Sequence, residues 1–321
     1  MPTKIHLSIA TDIATIRIEN VLSLNSIDYK GWSNLQQICT DLAKSKEIKV
    51  AIFTGTGNKC FSSGADIKDF LTTRYDKPSA KKYAKVFDGA LNAIELIPFP
   101  TISLIKGLCF GGGCELAMTT DIRIASDTSV FAIPVSKLGI LIGYGEMKRL
   151  IQIVGKGTAS YLLYSGKRLD SQNALRVGLI NEIKSLDAID SYVSELAQDI
   201  SKTAPLSHAK HKQIMKIVLD NPSLSNLSNE EKSLPFGNFD SSDFKKVCLL
   251  SLNIGPPNSK VFKFNFYPFK FLRVVDATYV ALSINCSISF SPVATLSAPV
   301  HLPKSNTPLS SIPLNIAFFI C

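Results

Sequence analysis

This 321-residue sequence predicts an α/β layered domain, and two patterns carry the prediction. Short, continuous apolar runs bounded by glycine or polar residues suit strands buried on both faces. Between them lie stretches whose apolar residues recur every three or four positions, the period of a helix with one buried face. Alternation of the two is the pattern of a layered α/β fold. With 45% hydrophobic and 19% charged residues, the chain is not a disordered polymer. Its length suits one large domain or two small ones.

The elements follow in order. Ala14, Ile16 and Ile18 alternate with Thr15, Arg17 and Glu19, as in a half-buried strand. Ser26 is placed to cap a helix whose Trp32, Leu35, Ile38 and Leu42 share one face. Val50, Ala51, Ile52 and Phe53 form an apolar strand stopped by Gly55 and Gly57. Residues 101–105 and 121–125 predict two more strands, flanking a glycine run and a short helix. Stretches 148–154, 158–164, 187–202 and 206–219 are predicted helical, the last behind Pro205. No repeat of fixed period is evident from the letters.

Charge and cysteine content narrow the classes. The net charge is +9, but residues 247–321 hold five Lys/Arg against a single acid, Asp276. The first 246 residues carry 30 basic and 25 acidic side chains, a modest surplus that suits anionic ligands without singling out nucleic acid. Lys44, Lys46 and Lys49, or Lys202, Lys210 and Lys212, are the lysines an RNA- or partner-binding protein would use. The seven cysteines, at 39, 60, 109, 114, 248, 286 and 321, show neither metal-ligand spacing nor a disulfide framework. They suit reduced thiols, and with no basic-then-apolar leader the expectation is a cytoplasmic protein without a membrane span. His208 and His211 lie three apart on a lysine-rich helix without nearby Cys or carboxylate ligands, so no metal is expected.

Two loops carry the chemistry. Cys60-Phe61-Ser62-Ser63-Gly64-Ala65-Asp66-Ile67-Lys68 follows the first apolar strand, and Gly111-Gly112-Gly113-Cys114-Glu115-Leu116-Ala117-Met118 follows the second. A glycine run before a helix lets backbone N–H groups approach a ligand oxygen with no β-carbon in the way. Such donors, aimed at a developing oxyanion, lower a barrier by about 3–4 kcal/mol each. Glu115 then falls in the first helical turn, beside the donors. No Gly-Lys-Ser/Thr follows at the spacing of a phosphate loop.

In this order and at this distance, the two loops resemble those of the enoyl-CoA hydratase/isomerase (crotonase) family. Leu24-Asn25-Ser26, Asp121-Ile122-Arg123-Ile124-Ala125, residues 131–150 and the stretch from Ala174 to Glu182 extend the resemblance, which covers about residues 4–246. It implies a crotonase-like spiral of ββα turns over 1–205 and a helical C-terminal segment over 206–246, assembled as a homotrimer or hexamer. It also implies that the peptide N–H groups of Ala65 and Gly112 form an oxyanion hole for a thioester carbonyl. Ala65, Asp66, Ile67 and Lys68 would then line the path of the substrate's coenzyme A, which is part of the substrate, so no separate cofactor is expected. Glu115 matches one of two glutamates with which hydratases activate water and deliver a proton. The second glutamate follows a proline, and here Val135 follows Pro134. Valine moves no proton, so Glu146, with Tyr144 beside it, is the candidate substitute. Hydration of a 2-enoyl-CoA is the leading activity. Double-bond isomerisation, decarboxylation and a non-catalytic binding role are the alternatives.

At Val247 the composition changes. Residues 247–321 hold eight of the 16 prolines and eight of the 18 phenylalanines, with little periodicity. Re-read one base earlier from Lys246, permitted codons turn 247–262 into GVLAFFEHRPPKFKGI, and Phe262-Lys263 yields a stop. That string is an amphipathic helix followed by a proline pair and a basic, aromatic end, the kind of terminus the family has. A base lost near codon 246 is one origin of the tail, and an appended, exposed interaction segment is the other. The expected DNA across codons 245–263 permits the shifted string; a single incompatible codon eliminates the lost base.

Overall fold

The computed structural model describes residues 2–242 and 244–245; the tail expected from residue 247 lies outside the described residues. Ten strands form two sheets: β1 (Lys4–Ala10), β2 (Ile13–Glu19), β3 (Val50–Gly55), β4 (Cys60–Ser62), β5 (Thr101–Ile105), β6 (Leu108–Phe110), β7 (Ile122–Ser126), β8 (Val130–Ala132), β9 (Leu169–Asp170) and β10 (Glu182–Lys184). The larger sheet runs β1-β2-β3-β5-β7-β10 and the smaller β4-β6-β8-β9. β1 is antiparallel to β2, β9 is antiparallel to β8, and every other pairing is parallel.

The helices are α1 (Tyr29–Leu42), α2 (Phe70–Thr73), α3 (Lys77–Glu95), α4 (Gly112–Thr119), α5 (Val135–Leu138), α6 (Tyr144–Ser165), α7 (Ser171–Arg176), α8 (Ile189–Ser201), α9 (Pro205–Asp220) and α10 (Asn229–Ser233). Three successive strand pairs, β3-β4, β5-β6 and β7-β8, each place one strand in the large sheet and the next in the small one before a helix follows. Each turn therefore adds one strand to each sheet, and the chain winds as a spiral of ββα units.

The continuous apolar run of β3 is explained by this stacking. All six of its residues are buried, because α8 covers the outer face through Ile189, Val193 and Ala197 while the main core covers the inner face. Trp32, Phe53, Phe61 and Phe131 are fully buried in that core, and the Trp32 and Phe87 rings meet edge to face at 4.7 Å.

Two local expectations need correction. The cap of α1 is Asp28, whose carboxylate accepts from the Gly31 N–H at 2.6 Å, and not Ser26. The Ser26 backbone carbonyl is occupied by the Thr3 hydroxyl and the Asn20 amide, locking the preceding turn instead. The region between the two glycine loops also holds α3, a helix the apolar periodicity did not expose. Its signals are an Asp76/Ser79 capping box and Pro78 in the first turn. The two helices expected at 148–154 and 158–164 occur as runs of α6 separated at Gly155, whose φ of +73° breaks the helical backbone.

Candidate active site

The parallel pairing of β4 with β6 brings the two glycine loops together. Ser62 pairs with Cys109, so the residues that follow each strand leave the sheet side by side. The Leu24-Asn25-Ser26 segment supports the first loop from below. Asn25 Nδ2 donates to the Cys60 and Thr56 carbonyls, Ser62 Oγ donates to the Asn25 carbonyl, and Ser63 N–H donates to the Leu24 carbonyl. An isolated parallel bridge then joins Ile27 to Ala65, with Ile27 N–H donating to Gly64 and Asp66 N–H donating to Ile27. In such a bridge the neighbours of Ala65 make the bonds, and its own N–H points to the other side.

That side is the start of α4. A β-carbon built on Gly112 would lie 3.3 Å from the Ala65 nitrogen, with the Trp32 and Phe87 rings at 3.3 and 3.2 Å. Gly112 opens the helix, where N–H groups have no partner in the preceding turn. Among the described residues neither the Ala65 nor the Gly112 N–H finds a protein acceptor. Glycine is required around them. Gly64 sits at φ +92°, and a β-carbon there would approach Gly112 N to 2.6 Å; one on Gly113 would meet the Ser62 carbonyl oxygen at 2.4 Å.

Ala65, Gly112 and Glu115 line a cavity of about 500 Å³. Glu115 is 5% exposed, and burial pushes its carboxyl up to about 8, helped by the charges of Glu146 and Asp88 and opposed by Arg74 and Arg149. At neutral pH it therefore holds its proton. Glu146 and Asp88 line the same cavity. Glu146 is 2% exposed and lies 3.4 Å from Arg149 Nη1. Its other oxygen fits against Gly143, where a β-carbon would stand 2.4 Å from Glu146 Oε2. Asp88 is pushed up to about 6 by burial and by Glu146, against the pull of Arg149 and Arg74.

The candidates from sequence separate clearly. Ala65, Gly112, Glu115, Ile67 and Glu146 reach the cavity. Asp66 and Lys68 are not among its lining residues: the Asp66 carboxylate turns back to accept from the Lys68 N–H at 3.0 Å, capping its own short turn. Tyr144 is 98% exposed and lies outside the cavity, so it is no auxiliary group. It opens α6 with its side chain on the solvent face, whereas Glu146, two residues on, faces inward. Val135 lines the wall together with Pro134, Leu138 and Leu141. Asp88 was not predicted; it stands on α3, the helix that sequence pattern failed to expose.

Features outside the cavity have other uses. His208 bonds Thr203, His211 faces Ser207, and among the described residues no cluster of three His, Cys, Asp or Glu is placed to hold a metal. Of the lysines that nucleic acid would use, Lys44, Lys49, Lys202 and Lys212 each pair with an acid. No helix among the described residues is long and apolar enough to cross a membrane.

A spiral of ββα turns with two convergent amides and a buried glutamate is a framework for stabilising an enolate or similar oxyanion. A family model, enoyl-CoA hydratase/isomerase, matches residues 8–250, and the chain belongs to that family. It is 30% identical over 201 residues to the short-chain-enoyl-CoA hydratase of Clostridium acetobutylicum, covering 63% of this chain and 76% of that protein. It is 33% identical over 198 residues to the carnitinyl-CoA dehydratase of Citrobacter koseri, covering 62% and 75%. A crystal structure from Magnetospirillum magneticum, described as an enoyl-CoA hydratase/carnithine racemase, superposes with a TM-score of 0.74 at 30% identity, over 78% of this chain and 92% of that one. The fold is the crotonase-like one expected from the loops.

Proposed function

We propose that the protein adds water to a 2-enoyl-CoA thioester, or runs the same reaction in reverse. The observation that carries this reading is the pair of N–H groups on Ala65 and Gly112, without protein acceptors among the described residues, beside the cavity that holds Glu115. A thioester carbonyl oxygen seated between those donors gains negative charge as water attacks the β-carbon, and the donors stabilise the enolate. Glu115, protonated at neutral pH, then supplies the proton that the α-carbon takes up. The hydratase and dehydratase relatives support this direction of chemistry.

A second reading rests on Val135. Moving a double bond needs one group that removes a proton and returns it elsewhere, and an apolar side chain where hydratases carry their second glutamate suits that reaction. Loss of crotonyl-CoA absorbance on adding the protein separates the two. The expected result is loss of the enoyl absorbance with formation of the 3-hydroxyacyl thioester. A folded protein that binds CoA thioesters, leaves crotonyl-CoA unchanged and converts a 3-enoyl-CoA to the 2-enoyl form would replace hydration by isomerisation.

A further inference from the structure

Asp88, Asn92 and Glu95 stand four and three residues apart on α3, and so share one stripe of that helix. The stripe meets Glu146 and Arg149, three apart on α6. Arg149 is fixed by the stripe: its Nε reaches Glu95 Oε1 at 2.5 Å, and its Nη2 reaches Glu95 Oε2 at 2.8 Å and Asn92 Oδ1 at 2.7 Å. Its remaining arm, Nη1, faces Glu146. Asp88, at the end of the stripe, meets Glu146 at the cavity wall. The Asp88 carboxyl shares a hydrogen bond with the Glu146 carboxyl, and among the described residues no amide, hydroxyl, guanidinium or ammonium group donates to it, whereas Asn92 and Glu95 are both taken up by Arg149. A half-buried carboxyl held on one side by Glu146 and lining the cavity that holds Glu115 has oxygen lone pairs left to accept from water or substrate.

We propose that Asp88 is the second acid/base residue of this site, taking the place of the glutamate that Val135 lacks, with Glu146 and Arg149 as positioning residues. This rests on the hydration reading above. In the forward direction the Asp88 carboxylate accepts a proton from water as the water oxygen bonds the β-carbon. The electron pair of the double bond moves into the thioester, held by Ala65 and Gly112. Glu115 then gives its proton to the α-carbon. The cycle closes when the proton on Asp88 returns through solvent to the Glu115 carboxylate. No oxidant or further reactant is needed. The charged groups facing Asp88 are Glu146 and Arg149 from α6, Glu115 from α4 and Arg74 from the end of α2. Burial, with the neighbouring carboxylates adding to it and Arg74 and Arg149 opposing it, pushes Asp88 up to about 6 and Glu115 up to about 8, so a base and an acid coexist at pH 7.

The test compares the wild type with Asp88→Asn and Glu115→Gln in two assays. One is crotonyl-CoA hydration as a function of pH; the other is deuterium uptake at the α-carbon of butyryl-CoA in D2O, which needs the oxyanion hole and Glu115 but no attack by water. Asp88→Asn is expected to lower kcat for hydration by about a hundredfold or more. KM should move far less, the loss of activity on the acid side near pH 6 should vanish, and α-exchange should outlast hydration. Glu115→Gln is expected to lose both reactions. Asp88→Asn that hydrates within a few-fold of wild type overturns the assignment of Asp88 and leaves the hydration reading standing. So does a variant that loses hydration, exchange and butyryl-CoA binding together, since Asp88 would then only support the wall. A wild type that exchanges the α-proton and never hydrates overturns the hydration reading itself and the role of Asp88 in it.

Discussion

Glu115→Gln will lower crotonyl-CoA hydration by a factor on the order of 10²–10⁴, the usual worth of a positioned acid/base group, and it will make the protein harder to unfold at alkaline pH. Loss of activity and gain of stability share one cause. Glu115 is buried at the first turn of α4 with two further carboxyls facing its cavity and no hydrogen-bond donor to it among the described residues. Helix N-termini favour negative charge, yet burial outweighs that help, and the carboxyl rises from 4.5 to about 8.

The sign of the stability effect follows from proton counting. Between pH 4.5 and about 8 the folded protein keeps a proton on Glu115 that the unfolded chain releases. The unfolded state binds fewer protons there, so stability falls as pH rises through that window and levels off above it. Below pH 4.5 both states hold the proton and the effect is absent. At about 1.36 kcal/mol per pH unit, the full window is worth roughly 5 kcal/mol at pH 9. Glutamine removes that penalty but buries an amide without partners, at a cost of about 1–3 kcal/mol at any pH. Glu115→Gln should therefore melt at or below the wild-type temperature at pH 5 and above it at pH 8.5. Thermal melts at the two pH values decide this. A difference that stays constant between them means that Glu115 ionises normally, and the acid role assigned to it falls.

The large features of the fold were legible because they are local or periodic. β3 shows as an apolar run because both of its faces are covered, and α8 shows by its amphipathic spacing. The two glycine loops show because backbone approach excludes a β-carbon there, a demand that composition cannot hide. The motif from Ala174 to Glu182 has a structural rather than chemical use: Arg123 donates to the Leu179 carbonyl and Asn181 accepts from the Arg123 N–H, which pins β10 beside β7. What stayed hidden is long-range. The ββα repeat escapes detection because its strand pairs alternate between two sheets and carry no common letters. Asp88 and Glu146 are 58 positions apart in sequence, and nothing in either neighbourhood says that α3 and α6 meet. Glu146 could be named as a candidate from its place near Val135, but its burial and its contact with Arg149, which Asn92 and Glu95 hold in turn, show only in the fold.

Gly64→Ala is the second substitution expected to be severe, and it isolates the oxyanion hole from Glu115. The new methyl would stand 2.6 Å from Gly112 N and 2.8 Å from the Phe110 oxygen. Both are backbone atoms, held by the β4-β6 pairing and by α4, and neither can turn aside as a side chain would. The loops must separate where Ala65 and Gly112 converge. Displacing one such donor costs about 10²–10³ in kcat. The overpacking costs about 1–3 kcal/mol of stability, and the φ of +92° adds strain of its own. Gly57→Ala is the control, because Gly57 also has positive φ, +80°, yet a β-carbon there meets nothing within 4 Å. It should lose about 1 kcal/mol of stability to the backbone alone and hydrate crotonyl-CoA at the wild-type rate. If Gly64→Ala, shown by circular dichroism to be folded, keeps kcat within a few-fold of Gly57→Ala, then the closeness of the two amides is not what stabilises the enolate. If it loses hydration and α-exchange together while Glu115 remains in place, the oxyanion hole and the acid are separately necessary. The spiral then contributes to catalysis through the pairing that sets β4 beside β6.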